Sequence, residues 1–104
     1  MQKNKVQTLK STGVGVAVSI QRREDFKTRG ALSASWLYYP PGYGRLNTSE
    51  RIALDLSWVY GEGIYVVFSY ETPIAWWTDR GGWHKVDQKF SRTTSKHQSN
   101  LYLI

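Results

Sequence analysis

The chain has 104 residues, of which 40% are hydrophobic and 21% charged, a composition typical of a small folded protein and not of a disordered one. It has no cysteine, which excludes disulfides, thiolate metal sites and cysteine nucleophiles. No apolar run approaches the ~20 residues of a membrane span, and the basic start lacks the continuous apolar run of a signal peptide. We therefore expect one domain over residues 1–104, in a reducing, cytoplasmic setting, with no membrane contact.

The net charge of +6 is unevenly distributed. Residues 1–45 carry eight Lys and Arg against two acids, residues 46–79 carry one against five, and residues 80–104 carry five against one. A basic excess attracts nucleic acid or an acidic protein surface, although ordinary solubility charge gives a similar count.

The first part of the chain predicts two strands. Residues 1–12 are polar and Lys-rich, typical of a loose basic arm or an edge strand. Apolar residues alternate from Val14 to Ile20, which predicts a half-buried strand. Residues 21–30 form a charged connection, either a long loop or a single helical turn. Alternation over residues 32–38 predicts a second strand, antiparallel to the first, and the prolines and glycines of residues 39–44 end it.

Residues 51–60 are ambiguous. Ile52, Leu54, Leu56 and Trp58 alternate, which favours a strand. The alternative is a short helix capped by Ser49. We expect the strand.

The centre of the predicted sheet is the run of residues 64–77. Residues 64–70 are apolar on nearly both sides, as in a central strand covered on both faces. Pro73 predicts a bend or bulge, after which residues 74–78 resume the strand. Residues 79–82 contain two glycines and predict a hairpin turn, and residues 83–86 are the returning strand.

The tail has two interpretations. Thr93, Thr94 and Ser95 are residues that cap helices, which predicts a short helix, whereas residues 101–104 would suit a last strand. Together the segments predict a mainly β fold, with α+β as an alternative. We expect a twisted antiparallel sheet or partly open small barrel of five or six strands, with one short C-terminal helix or ordered tail.

Two segments resemble a known pattern. Residues 69–76 read Ser-Tyr-x-Thr-Pro-Ile-Ala-Trp, and residues 90–98 read Phe-Ser-x-Thr-Thr-Ser-Lys-His-Gln. In this order they resemble a family of small uncharacterised proteins carried by phages and plasmids, in which Tyr often stands at the position of Phe90. The resemblance implies an accessory protein of a mobile element, working in the cytoplasm of a bacterial host. It implies no catalytic role.

The first candidate site is a basic, Trp-rich hairpin. Tryptophans flanked by Arg and Lys suit base stacking with phosphate contacts. The predicted contact residues are Trp77, Arg80, Trp83, Lys85, Lys89 and Arg92. The alternatives are that the tryptophans belong to the core or form an interface for a protein partner. Further cations in residues 1–29 would either converge with this hairpin or scatter over the surface.

The second candidate is an anion site at the start of the predicted C-terminal helix. Hydroxyls, a cation and an imidazole lie close in sequence there, at Thr94, Ser95, Lys96 and His97. The alternative, which we favour, is an ordinary helix cap with solvated charges.

Catalytic chemistry finds little support. The two histidines, His84 and His97, lack the spacing of a metal site, and Asp87 should point away from His84 along a strand. We expect no cofactor and no metal. The preferred function is nucleic-acid binding without catalysis, followed by inhibition of a host defence protein through a protein–protein contact. A small phosphate-handling enzyme comes third, and the oligomeric state stays open.

Overall fold

The computed structural model describes residues 7–9, 13–59 and 62–104. In these ranges the chain forms a six-stranded open sheet with strands in sequence order, and three short helices. The β1–β2 pair is parallel and each later pair is antiparallel. The strands are β1 (Gln7–Leu9), β2 (Phe26–Thr28), β3 (Leu32–Leu37), β4 (Ile64–Ser69), β5 (Thr72–Thr78) and β6 (Gly82–Lys85). The helices are α1 (Val14–Gln21), α2 (Thr48–Trp58) and α3 (Arg92–Gln98), and a 3-10 turn (Ser99–Leu101) follows α3.

The mainly β prediction is confirmed, with a C-terminal helix and a sheet that stays open. Strand β4 is buried along almost its whole length, as its apolar run predicts. Its side chains alternate between two core clusters. One contains Tyr65 and Val67 with α1 residues, and the other contains Ile64 and Val66 with Leu54 of α2. We call these two sides of the sheet the α1 face and the α2 face.

The predicted strand over residues 14–20 is wrong, because these residues form α1. Its buried positions are Val16, Ala17, Ser19 and Ile20, a spacing that fits one helix face, while Val14 is exposed. A short apolar run fits either period, and packing against the sheet decides between them.

The predicted strand over residues 51–60 is also wrong, since residues 51–58 lie in α2 and Val59 caps its end, while residue 60 lies outside the described residues. Asn47 caps the helix by accepting a hydrogen bond from the Glu50 amide at 2.9 Å. The four apolar residues that alternate in this segment form two pairs, and the members of each pair are four positions apart. Leu54 and Trp58 pack inward, and Ile52 and Leu56 point outward.

The predicted bent strand over residues 64–77 is two strands of a tight hairpin. Ser69 pairs with Thr72, so Tyr70 and Glu71 form the turn. Tyr70 takes a positive φ of 55°, at a position where hairpins favour glycine. The bulge predicted near Pro73 is confirmed, because the β4–β5 register shifts between Val67 and Phe68.

Strand β2 lies inside the predicted connection of residues 21–30, so β3 is antiparallel to β2 and β4, and not to residues 14–20. The hairpin after Thr78 and the returning strand are confirmed. The C-terminal helix is confirmed too, although Ser91 caps it. The predicted basic arm of residues 1–12 lies mostly outside the described residues. The part that is described, residues 7–9, forms an edge strand. In the described part of the chain, no helix is long and apolar enough to cross a membrane.

Candidate functional site

Four aromatic side chains form a row across the α1 face of the sheet. Trp36 of β3 pairs with Tyr65 of β4, Tyr65 pairs with Trp77 of β5, and Trp77 pairs with Trp83 of β6. Residues directly opposite each other on neighbouring strands point to the same face. The registers of three strand pairs therefore align these rings, which we call the aromatic row.

The rings of the aromatic row contact one another edge to face. The ring centroids of Trp36 and Trp77 lie 5.7 Å apart and those of Tyr65 and Trp83 lie 5.9 Å apart, both nearly perpendicular. Trp36 and Tyr65 are 5.6 Å apart and tilted. Tyr65 is fully buried, whereas the three tryptophans are half-buried. Trp77 is thus neither wholly core nor wholly surface, and its ring has an accessible part.

The neighbouring Trp76 faces the other way. Its ring is fully buried among the residues of the α2 face, and its indole Nε1 donates to Ser57 Oγ at 2.9 Å. Adjacent strand residues point to opposite faces, so the Trp76–Trp77 pair divides between core and candidate site. Of the two, Trp77 is the more exposed.

Arg23 lies over the aromatic row. Its Cζ is 4.2 Å from the centroid of the Trp77 ring, within cation–π distance. The residue follows α1 and has a positive φ of 56°, and its carbonyl accepts a hydrogen bond from Trp36 Nε1 at 2.8 Å. A left-handed conformation costs about 1–2 kcal/mol outside glycine, so the surrounding contacts must hold it.

The segment after Arg23 is hydrogen-bonded to the aromatic row as well. The Tyr65 hydroxyl donates to the Glu24 carbonyl at 2.6 Å, and the Trp36 amide donates to Asp25 Oδ1 at 3.0 Å. Burial raises the pKa of Tyr65 far above its usual value, and the charges of Asp25 and Glu24 raise it further. The hydroxyl therefore stays protonated and remains a donor.

The structure brings together part of the predicted contact set. Arg80 lies in the turn between β5 and β6, beyond the Thr78–Gly82 pair that follows the paired Trp77 and Trp83. Lys85 ends β6 opposite Ala75, and its Nζ donates to the backbone oxygen of Ile104 at 2.9 Å. The remaining cations of the set, which are exposed, lie in the connection after β6 and at the start of α3, namely Lys89 and Arg92.

The other end of β4 carries a buried polar cluster. Ser69 Oγ lies 3.0 Å from Thr94 Oγ1 and 2.6 Å from His97 Nδ1. All three residues are buried. Burial lowers the pKa of His97, so its imidazole is neutral near pH 7. We call Ser69, Thr94 and His97 the hydroxyl–imidazole network.

The predicted anion quartet is divided by this arrangement. Thr94 and His97 point inward to Ser69, while Ser95 and Lys96 are exposed on α3. The network borders a cavity of about 730 Å³ under the β4–β5 turn. Its lining includes the strained Tyr70 together with Ser91. The two segments that carry the sequence resemblance therefore meet here, one contributing Ser69 and the other Thr94 and His97.

The second histidine pairs with a carboxylate that sequence reasoning did not connect to it. His84 Nε2 is 2.6 Å from Glu50 Oε1, and its ring stacks on Trp76 at 4.5 Å. Glu50 Oε2 also accepts from the Asp87 amide at 3.1 Å. The pair ties β6 to α2. Within residues 7–9, 13–59 and 62–104, no group of three His, Asp or Glu side chains could hold a metal ion.

A further surface feature lies on α2. Ile52 is 54% exposed, Leu56 61% and Val59 72%. Their spacing of four and then three places them along one side of the helix and its end. We call these three residues the apolar stripe. Sequence reasoning missed it, because the same alternation was interpreted as a strand facing the core.

The comparisons with known proteins identify a family for this chain but no activity. Residues 44–102, more than half of the chain, match a family of unknown function, DUF8033, and the chain belongs to this family. No curated protein and no solved structure shows significant similarity to the chain. The matched residues include the whole hydroxyl–imidazole network, and Tyr65, Trp77 and Trp83 of the aromatic row. Trp36 and Arg23 lie outside them.

Proposed function

We propose that this member of the DUF8033 family binds nucleic acid through the aromatic row and the arginines beside it, without catalysing a reaction. One observation carries the proposal. The Arg23 guanidinium lies 4.2 Å above the Trp77 ring, inside a row of half-buried tryptophans. Aromatic and guanidinium planes are the groups on which proteins stack bases.

The energetics favour such a contact. Each stacked base contributes ~1–3 kcal/mol by alanine substitution, so two engaged tryptophans would supply a measurable affinity. Arg23 and Arg80 add charge where phosphates would pass. The carboxylates of Glu24 and Asp25, which accept from Gln7 and from the Trp36 amide, keep their charge beside the row and reduce its attraction for phosphate, so stacking has to supply most of the affinity. The overall charge of +6 supports association with a polyanion.

The setting we propose is a phage or plasmid accessory protein in the cytoplasm of a bacterial host. The support is the likeness of residues 69–76 and 90–98 to the motifs described above. A DNA- or RNA-binding accessory role fits a small chain with no cysteine.

Titration of fluorescently labelled oligonucleotides at low and moderate salt tests the proposal. Arg23→Gln should weaken binding about ten-fold, since it removes both a stacking plane and a cation. Arg29→Gln is the matched control. Arg29 is an exposed arginine just before β3, at the opposite end of that strand from Trp36, and its loss should change affinity by less than about three-fold. No binding at low salt, or equal losses in both variants, would refute the proposal.

A second candidate function rests on the apolar stripe of α2. Three exposed aliphatic residues along one side of a helix suit docking onto a host protein, for example to inhibit a defence enzyme. A pull-down from nuclease-treated host lysate tests it with Leu56→Asp and, as a control, Ser49→Asp on the same helix. A partner captured by the wild type and by Ser49→Asp, but lost with Leu56→Asp, would support this function. Capture that Leu56→Asp leaves intact would count against it.

A further inference from the structure

We infer that the ligand of the aromatic row is single-stranded nucleic acid, held by stacking and backbone contacts and not by reading of base edges. The inference rests on the proposed function and goes beyond it by naming the class of nucleic acid and the mode of binding. Three features of the described residues carry it: the hydrogen bonds of the row, its ring surfaces, and its charge.

The first feature is that the polar groups of Trp36 and Tyr65, two of the four residues of the row, are already engaged within the protein. Trp36 Nε1 donates to the Arg23 carbonyl and the Tyr65 hydroxyl donates to the Glu24 carbonyl. Base-edge reading needs side-chain donors and acceptors that are directed at the ligand. In this half of the row, the groups that would read a base instead hold the segment after α1. What the half-buried tryptophans offer to a ligand is the accessible part of their apolar rings, and stacking on such surface is tolerant of base identity.

The second feature is the shape of the contact surface. The half-buried tryptophans lie on the face of a sheet, and the guanidinium of Arg23 forms an outer layer over Trp77. In a duplex the base faces are stacked on each other, so only an unstacked strand can offer a face to these groups.

Duplex readers instead insert a helix or a β-ribbon into the major groove. Here α1 packs Val16 and Ile20 into the core, and the outward side of α2 carries Ile52 and Leu56 beside Arg51 and the acidic Asp55. Exposed aliphatic side chains and a carboxylate make this side of α2 poorly suited to a DNA groove.

The third feature is the small number of cations at the row. Arg23 lies over the Trp77 ring, Arg22 is exposed next to Arg23, and Arg80 is exposed in the turn between β5 and β6. Each phosphate contact contributes a slope of about −0.7 to the plot of log K against log salt for a single strand. Two or three contacts predict a slope of about −1.4 to −2.1, shallow for a nucleic-acid-binding protein. Stacking then accounts for more of the affinity than charge does.

The experiment compares four oligonucleotides of about 15 nucleotides, a length near the upper site size of small single-strand binders. They are a mixed single strand, a scrambled single strand of equal composition, the corresponding duplex, and an abasic strand with the same backbone. Fluorescence anisotropy at low salt gives the affinities. The duplex and the abasic strand should each bind at least about ten-fold more weakly than the mixed strand. The two single strands should agree within about three-fold.

Two variants connect the result to the aromatic row. Trp83→Leu should reduce the difference between the mixed and abasic strands. Trp58→Leu, at a half-buried tryptophan packed on the α2 face, should leave that difference unchanged. Circular dichroism checks that both fold. If Trp83→Leu does not fold, Arg23→Gln replaces it, with the same expectation.

The outcomes separate the inference from the proposed function. Duplex affinity equal to that of the single strand, equal affinity for the abasic strand, or a strong preference between the two sequences would overturn the inference while nucleic-acid binding stood. Absence of binding to all four ligands would overturn both.

Discussion

The two ends of strand β4 use the same face of the sheet for different purposes. Tyr65 belongs to the aromatic row and Ser69 to the hydroxyl–imidazole network, and both point to the α1 face. They are four positions apart, about 13 Å along a strand. At one end half-buried rings lie under an arginine, and at the other every group of the network is buried.

This difference distinguishes a candidate binding surface, the aromatic row, from a contact that stabilises the fold, the hydroxyl–imidazole network. The three side chains of the network form hydrogen bonds with one another and join α3 to β4. A buried hydroxyl or imidazole left without a partner would cost about 1–3 kcal/mol. The row leaves ring surface accessible and holds Arg23 in a conformation that costs energy. We therefore expect changes in the network to affect stability, and changes at the row to affect binding.

The largest effect should follow from His97→Ala. The substitution opens a cavity under α3 and removes one of the two partners of Ser69, so the free energy of unfolding should fall by about 2–4 kcal/mol. Urea denaturation measures the change. Lys96→Ala, the exposed neighbour on the same helix, should cost less than about 0.5 kcal/mol. Equal effects of the two substitutions would show that the network does not hold α3.

The network should also make stability depend on pH. Burial lowers the pKa of His97 in the folded protein, so the unfolded chain binds a proton more readily. Stability is then fully present above the unfolded pKa of about 6.5 and decreases as the pH falls below it, by at most about 1.4 kcal/mol per pH unit.

Urea denaturation at about pH 7.5 and about pH 5.5 tests this dependence, in a His84→Gln background that leaves a single imidazole to titrate. Adding His97→Gln should remove most of the decrease. Stability that is constant or increases on acidification would contradict the assignment.

A smaller effect is expected at the buried ring of the row. Tyr65→Phe retains the ring contacts and removes the hydroxyl that holds the Glu24 carbonyl, which should cost about 1 kcal/mol. Tyr38→Phe, at an exposed ring, is the control in the same denaturation experiment. A loss with Tyr65→Phe as small as that of the control would show that this bond does not stabilise the segment after α1.

The smallest effect on stability should come from Arg23→Asn. Asparagine tolerates a positive φ, so the relief of strain offsets the lost cation–π contact of about 0.5–1 kcal/mol. The free energy of unfolding should change by less than about 0.5 kcal/mol, while affinity for a single strand falls about ten-fold. A variant that loses stability but keeps its affinity would show that Arg23 stabilises the fold and does not contribute to binding.

The C-terminal half of the fold is predictable from local signals. The apolar run of β4 and the glycines after Thr78 each specify their element, and the hydroxyl residues near the start of α3 indicate that helix, although the predicted caps lie within it and Ser91 is the cap. Helices α1 and α2 are not predictable in this way. Apolar residues at every second position also include pairs four positions apart, and residues four apart lie on the same face of a helix. Strand β2 has two buried residues among charges and gives no periodic signal.

The candidate site is partly predictable for a related reason. Trp77, Arg80 and Trp83 lie in one hairpin, so short-range reasoning places them together. Trp36 and Tyr65 join them only through the registers of the β3–β4 and β4–β5 pairs, which a sequence does not specify. Arg23 could be identified as basic, but its position over Trp77 depends on the misassigned helix before it.

The most direct test of the account is a two-dimensional NMR titration that follows the indole N–H signals of the tryptophans while a single-stranded oligonucleotide is added. Trp77 and Trp83 lie on the α1 face, and Trp58 and Trp76 on the α2 face, so the protein contains its own control. We predict that the signals of Trp77 and Trp83 shift and that those of Trp58 and Trp76 stay in place. Shifts confined to Trp58 and Trp76, or no shift at a concentration that saturates the wild-type protein in the anisotropy experiment, would contradict the assignment of the aromatic row as the binding surface.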